Sequence, residues 1–134
     1  MASFGGVEFD TERMVIRLPA KKQQKAKSIV DIAQNAQSAS LVELQRVTGF
    51  LNFASIVIPL GRRFLRRLYN MHLYFTSERK QIRRRLSSGA QKDLAWWAKV
   101  LLPAPERSIQ VERRDVVTLW SDAAGTKGLG AFLN

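Results

Sequence analysis

The sequence has no cysteine, which excludes disulfide staples and thiolate metal sites and fits a reducing compartment. It has a single histidine, His72, without the companions a metal site needs. No apolar run reaches the ~18 residues of a membrane span. Met1 to Asp10 shows no basic stretch leading into a long apolar one, so no secretory signal is expected. These absences predict a soluble intracellular protein, cytoplasmic or nuclear. Acidic residues are scarce: 11 Asp and Glu stand against 22 Lys and Arg, a net charge of +11. No two aspartates are adjacent, and there is neither an internal repeat nor a low-complexity tract.

The charge balance sets the class of partner. Such a field attracts polyanions, either nucleic acid or an anionic membrane surface, and it opposes compaction through self-repulsion. Hydrophobic residues at 46% and charged ones at 25% are ordinary for a globular chain and argue against wholesale disorder.

Periodicity divides the chain. Residues 7–10 (Val-Glu-Phe-Asp) and 14–18 (Met-Val-Ile-Arg-Leu) read as two short strands around a turn at 11–13. Pro19 suits a helix start. The helix predicted from there to about Gln34 places Ala26, Ile29, Ile32 and Ala33 inward, with Lys21, Lys22, Lys25 and Lys27 on a solvated face. Residues 35–39 form a polar break. Ser40 with Glu43 is a capping box, opening a helix whose stripe is Leu44, Val47, Leu51, Ala54 and Ile58. Pro59-Leu60-Gly61 ends it.

A third helix is predicted over residues 61–75, divided in two. Phe64, Leu65, Leu68, Met71, His72 and Phe75 fall on one side; Arg62, Arg63, Arg66 and Arg67 fall on the other, with Tyr69 at the border. His72 is read as a packed histidine. The four arginines have no acidic residue three or four positions on in the same helix, and like charges at that spacing destabilise it. An external anion would offset the cost, so these arginines are candidate phosphate contacts rather than only a solvated face. Residues 76–85 are strongly basic, and Arg79, Lys80, Arg83, Arg84 and Arg85 are further candidates for nucleic acid, or for an import signal.

Ser88 with Gln91 reads as a second capping box, starting a helix with Ala90, Leu94, Trp97 and Leu101 on one face. Trp96 lies off that face, for packing or for stacking on a base. Pro103-Ala104-Pro105 reads as a linker. Val116 to Trp120 suits a buried strand, residues 121–128 a turn, and residues 129–133 a returning strand. Gly125, Gly128 and Gly130 open no helix and so are no dinucleotide loop.

This order of elements resembles the downstream part of retroelement reverse transcriptases over nearly the whole chain. Gly6-Val7-Glu8-Phe9-Asp10-Thr11-Glu12-Arg13-Met14 through Arg17-Leu18-Pro19 looks like the hairpin that follows the palm. Leu41-Val42-Glu43-Leu44-Gln45-Arg46-Val47-Thr48-Gly49-Phe50-Leu51-Asn52-Phe53 is similar to the thumb signature, and Ile58-Pro59 to the next thumb element. Gln91-Lys92-Asp93-Leu94-Ala95-Trp96-Trp97 looks like the short connection helix. Leu119-Trp120-Ser121-Asp122-Ala123-Ala124, followed by Gly128-Leu129-Gly130-Ala131, resembles the opening hairpin of ribonuclease H. The wording is nearest to gypsy-type elements and to those mobilised by a tyrosine recombinase.

The resemblance implies an α+β chain: a hairpin at 1–18, a thumb-and-connection module of about four helices at 19–102, a linker at 103–115, and an incomplete ribonuclease H-like hairpin at 116–134. The complete family enzyme uses Mg²⁺ to copy RNA and to degrade it. Here the paired palm aspartates are missing, and only Asp122 matches the ribonuclease H carboxylates. Two hard cations ~4 Å apart, each with about six ligands, need more than one carboxylate. The expectation is an inactive fragment without a cofactor of its own, with Asp122 as an ancestral catalytic residue and an incomplete metal ligand. Its partners would be RNA–DNA hybrid or duplex DNA, held through the backbone, and the remainder of a polyprotein. Two alternatives stand beside it: a small autonomous nucleic-acid-binding protein, and a basic amphipathic protein on anionic membranes.

Overall fold

A computed structural model of the chain describes residues 2–75, 82–110, 117–124 and 128–133; for residues 4, 122–124, 128, 129, 132 and 133 it describes the backbone alone. The architecture is mixed α+β, with four helices and small antiparallel sheets among the described residues.

Gly5 and Gly6 both take positive φ, 58° and 80°, which makes a two-residue hairpin turn. It joins β1 (Ala2–Phe4) to β2 (Val7–Asp10), with Phe4 opposite Val7. The Asp10 carboxylate then accepts from the backbone N–H of Glu12 and Arg13, shaping the turn into β3 (Val15–Arg17). Pro19 caps α1 (Ala20–Ala36), and Gln37 ends that helix in a left-handed conformation. Within α1, Ala26 and Val30 are buried, but Ile32 is 67% exposed, against the expectation that it faces inward. At roughly 100° per residue the apolar residues 29, 30, 32 and 33 span an arc of about 160° with Val30 and Ile32 at its two edges, and the core covers the Val30 edge.

The polar break contributes β4 (Ser38–Ala39), paired with β5 (Arg84–Arg85). Ser40 caps α2 (Leu41–Ala54) as expected. Its hydroxyl accepts from the Glu43 N–H, and the Glu43 carboxylate accepts from the Ser40 N–H. Leu44, Val47, Leu51, Ala54 and Ile58 are all buried, although the helix stops at Ala54 and Ile58 belongs to the turn beyond it.

The single helix expected over 61–75 is three short pieces: a 3₁₀ turn at Gly61–Phe64, α3 (Arg66–Met71), and a second 3₁₀ turn at His72–Tyr74. No side chain caps its start, where Leu60 is left-handed at φ 66°. Four arginines in the opening turns also oppose the positive end of a helix dipole. Tertiary contacts hold the pieces in place. Leu65, Leu68 and Met71 are buried against α4 (Ser88–Val100) and α2. The indole N–H of Trp97 donates to the Phe64 carbonyl at 3.1 Å, Trp96 stacks on the Phe64 ring at 4.0 Å, and Gly61 lies buried against the Trp97 ring.

The helix start at α4 is one residue earlier than expected. Ser87, not Ser88, is the cap: its extended backbone aims the hydroxyl at the Ala90 N–H, while Gln91 donates to the Leu86 carbonyl. Ala90, Leu94, Trp97 and Leu101 form the fully buried face.

Residues 104–109, expected within a linker, are tied back onto the body. The Ala104 N–H donates to Gln23, Glu106 takes both Arg13 nitrogens, and β6 (Arg107–Ser108) adds to β3. The result is a four-stranded sheet ordered β1-β2-β3-β6. Val7, Ile16 and Val57 close its small core, and Phe53 packs on both this core and the helical one.

The last pair is β7 (Leu119–Ala124) with β8 (Gly128–Leu133). Ser121 to Ala124 are strand rather than turn, because the register runs from Leu119–Leu133 to Ala124–Gly128; residues 125–127 of the expected turn lie outside the described residues. Leu119 and Trp120 are exposed, so this is not the buried strand expected from the β-branched run.

Candidate nucleic-acid interface

The turn after α2 points its side chains three ways. Val57 enters the sheet core, Ile58 enters the helical core, and Ile56 faces out. Its exposed face forms a shallow groove with Pro59, Leu60, Arg62, Arg63 and Arg107. Arg107 arrives from β6 and is anchored there by donating to the Ile56 carbonyl at 2.8 Å. A second groove, lined by Asn52, Arg62, Leu65, Arg66, Tyr69 and Asn70, adjoins the first through Arg62. Among the described residues neither groove is lined by a carboxylate.

Of the arginines singled out in the sequence, Arg62, Arg63 and Arg66 are exposed and make no ion pair with a carboxylate among the described residues. Arg67 is exposed too, but it turns toward α4, 3.7 Å from Asp93 and 3.5 Å from the Gly89 carbonyl. Arg83 is engaged elsewhere: it grips both oxygens of Glu43 at 2.7 Å and donates to the Ser38 carbonyl at 2.8 Å. The Ser40 N–H, with Arg83 beside it, holds the Glu43 carboxyl below its usual pKa. Arg84 lies over the Phe75 ring and Arg85 is exposed on β5. Arg79 and Lys80 lie outside the described residues.

The lysines of α1 are on the surface, with Lys22 over Phe53, Lys25 over Phe50, and Lys27 paired to Asp31. Trp96 packs on Phe64, and His72 is half-buried, 3.5 Å from the Thr48 hydroxyl. Arg107, Asn52 and Asn70 were not singled out by sequence. Arg107 is 51 positions from the carbonyl that anchors it, and no local pattern signals such a contact.

No protein-family model, curated protein or solved structure matches the chain.

Asp122 lies in β7, its backbone opposite Gly130. Among the described residues no group of three or more His, Cys, Asp or Glu converges as a metal site, and no described helix is long and apolar enough to cross a membrane. The strand positions facing Asp122 and its neighbours are Ala131, Gly130 and Leu129, which supply no second carboxylate. One carboxylate position on this hairpin does not by itself make the two-Mg²⁺ site that the sequence resemblance implies, and no catalytic step is assigned to it.

Chemically, the two grooves offer three guanidinium groups without a carboxylate partner among the described residues, suited to bidentate contact with phosphate oxygens, plus Arg107 on the same surface. Such contacts hold a backbone without reporting its bases.

Proposed function

We propose that this chain is the thumb-and-connection part of a retroelement reverse transcriptase, running into an incomplete ribonuclease H-like hairpin, and that it binds nucleic-acid backbone without catalysing a reaction. The observation that carries the binding role is the exposed surface formed by Arg62, Arg63, Arg66 and Arg107 across two adjoining grooves, lined by no carboxylate among the described residues. The family assignment rests on the order and spacing of the sequence segments. An antiparallel hairpin with Asp122 on its first strand is in keeping with it. The ligand is RNA–DNA hybrid or duplex DNA, with the remainder of a polyprotein supplying any chemistry. A membrane-surface role is disfavoured because Leu65, Leu68 and Met71, the apolar side of the arginine segment, are already buried in the core.

The test is salt-dependent binding of hybrid and duplex by wild type and by a combined Arg62→Ala, Arg63→Ala, Arg66→Ala variant. Loss of three phosphate contacts lowers the slope of log affinity against log salt by about 3. A variant that keeps both affinity and slope removes the binding role.

A further inference from the structure

The second groove contains more than phosphate binding requires. Tyr69 follows Arg66 by one helical turn and is 42% exposed. Its ring contact is an edge-on approach to His72, with centroids 5.6 Å apart and planes at 62°, and among the described residues the ring has no stacked partner. Asn52 from α2 and Asn70 from α3 line the same groove, exposed, and buried Leu65 lines it beside them. Arginine answers a phosphate, an open aromatic ring answers the π-face of a base, and a carboxamide offers donor and acceptor to base edges or a sugar hydroxyl. All three chemistries meet in this groove.

Within a duplex the faces of a base are covered by its stacked neighbours, so a ring in a groove beside the phosphates reaches the face of a nucleotide that has left the helix. We propose that the groove of Asn52, Arg62, Arg66, Tyr69 and Asn70 takes one unpaired nucleotide of a nucleic-acid strand. Its phosphate lies at Arg62 and Arg66 and its base lies over Tyr69. This deepens the backbone-binding reading and rests on it: the chain grips a duplex next to a single-stranded overhang in preference to a blunt duplex. The carboxamides read the nucleotide outside the stack, and the adjoining groove with Arg63 and Arg107 takes the neighbouring backbone.

The experiment uses the full chain and two RNA–DNA hybrids, one blunt and one with a short single-stranded overhang carrying 2-aminopurine, whose fluorescence reports stacking. Wild type is expected to bind the overhang hybrid about tenfold more tightly, the size of one base–aromatic stack, and to quench the probe. Tyr69→Ala abolishes the difference and the quenching while keeping the blunt-hybrid affinity and salt slope. Tyr69→Phe, which preserves the ring, keeps both. Equal binding of the two hybrids by wild type overturns the proposal, as does an overhang preference that survives Tyr69→Ala. The combined arginine variant separates the two ideas: if it binds both hybrids with undiminished salt dependence, the backbone reading itself has failed.

Discussion

The guanidinium of Arg67 stands 3.7 Å from the carboxylate of Asp93, and the two ends of this pair live in different media: the arginine side chain is 55% exposed and the aspartate 2%. Burial pushes the Asp93 carboxyl pKa up, and Arg67 pulls it back only in part. One oxygen, Oδ2, has no hydrogen-bond partner among the described residues. Arg67 is therefore occupied differently from Arg62, Arg63 and Arg66, as the counter-charge to a carboxylate taken out of water.

Because the folded pKa of Asp93 lies above its unfolded value, its contribution to stability is fully present below the unfolded pKa and is lost as pH rises through the folded one. At neutral pH the buried charge costs stability. Asp93→Asn should therefore gain about 1 kcal/mol at pH 7 and nothing in acid, read from urea midpoints. Arg67→Ala should lose about 1–3 kcal/mol at pH 7, and the double variant should recover most of it. A destabilised Asp93→Asn at neutral pH would mean that the pairing outweighs the burial.

His72 has the opposite sign. Burial lowers its imidazole pKa, against a smaller raising effect from the Leu44 backbone. Its contribution is present above the unfolded value and is lost as pH falls through the folded one. Between about pH 7 and pH 5, wild type should lose stability that His72→Gln does not lose. Parallel pH profiles for the two proteins would refute this.

Ser40→Ala removes half of the reciprocal cap at α2 and should cost about 1 kcal/mol. The backbone N–H of residue 40, which holds the Glu43 carboxyl pKa down, is still present in the alanine variant, so the acid limb of unfolding should keep its position. Chemical denaturation at pH 7 and pH 4 checks both expectations.

Leu60 holds φ at 66° with its side chain largely in solvent. Leu60→Gly relieves the left-handed strain and should raise stability by about 0.5–1 kcal/mol. A fall in the thermal midpoint would show that the leucine side chain contributes more than the backbone gains.

What was legible in the sequence was local. The capping box of Ser40 and Glu43, the buried stripe of α2, and the face of Ala90, Leu94, Trp97 and Leu101 depend on residues within a turn or two of each other, and they stand as read. Where neighbouring choices were nearly equal, geometry elsewhere decided. Ser87 rather than Ser88 has the extended backbone of a cap, and Val30 rather than Ile32 meets the core. The strand register at Asp122 is set by its partner β8, not by the β-branched run before it. In the arginine surface, exposure of Arg62, Arg63 and Arg66 followed from the two-sided pattern. The pairing of Arg67 with α4 and the arrival of Arg107 from the sheet depend on tertiary contacts that no window of sequence contains.

Gly61 sits where a methyl group would come within 2.7 Å of the Trp97 ring and 3.1 Å of the Ser55 side chain. Positions 61 and 97 are thus sterically coupled. A lineage that replaces the glycine must also shrink the indole, giving up the hydrogen bond that fixes the Phe64 carbonyl. Related sequences should change these two positions together or leave both alone, and a graft of residues 61–67 onto a foreign scaffold would need the tryptophan carried along with it.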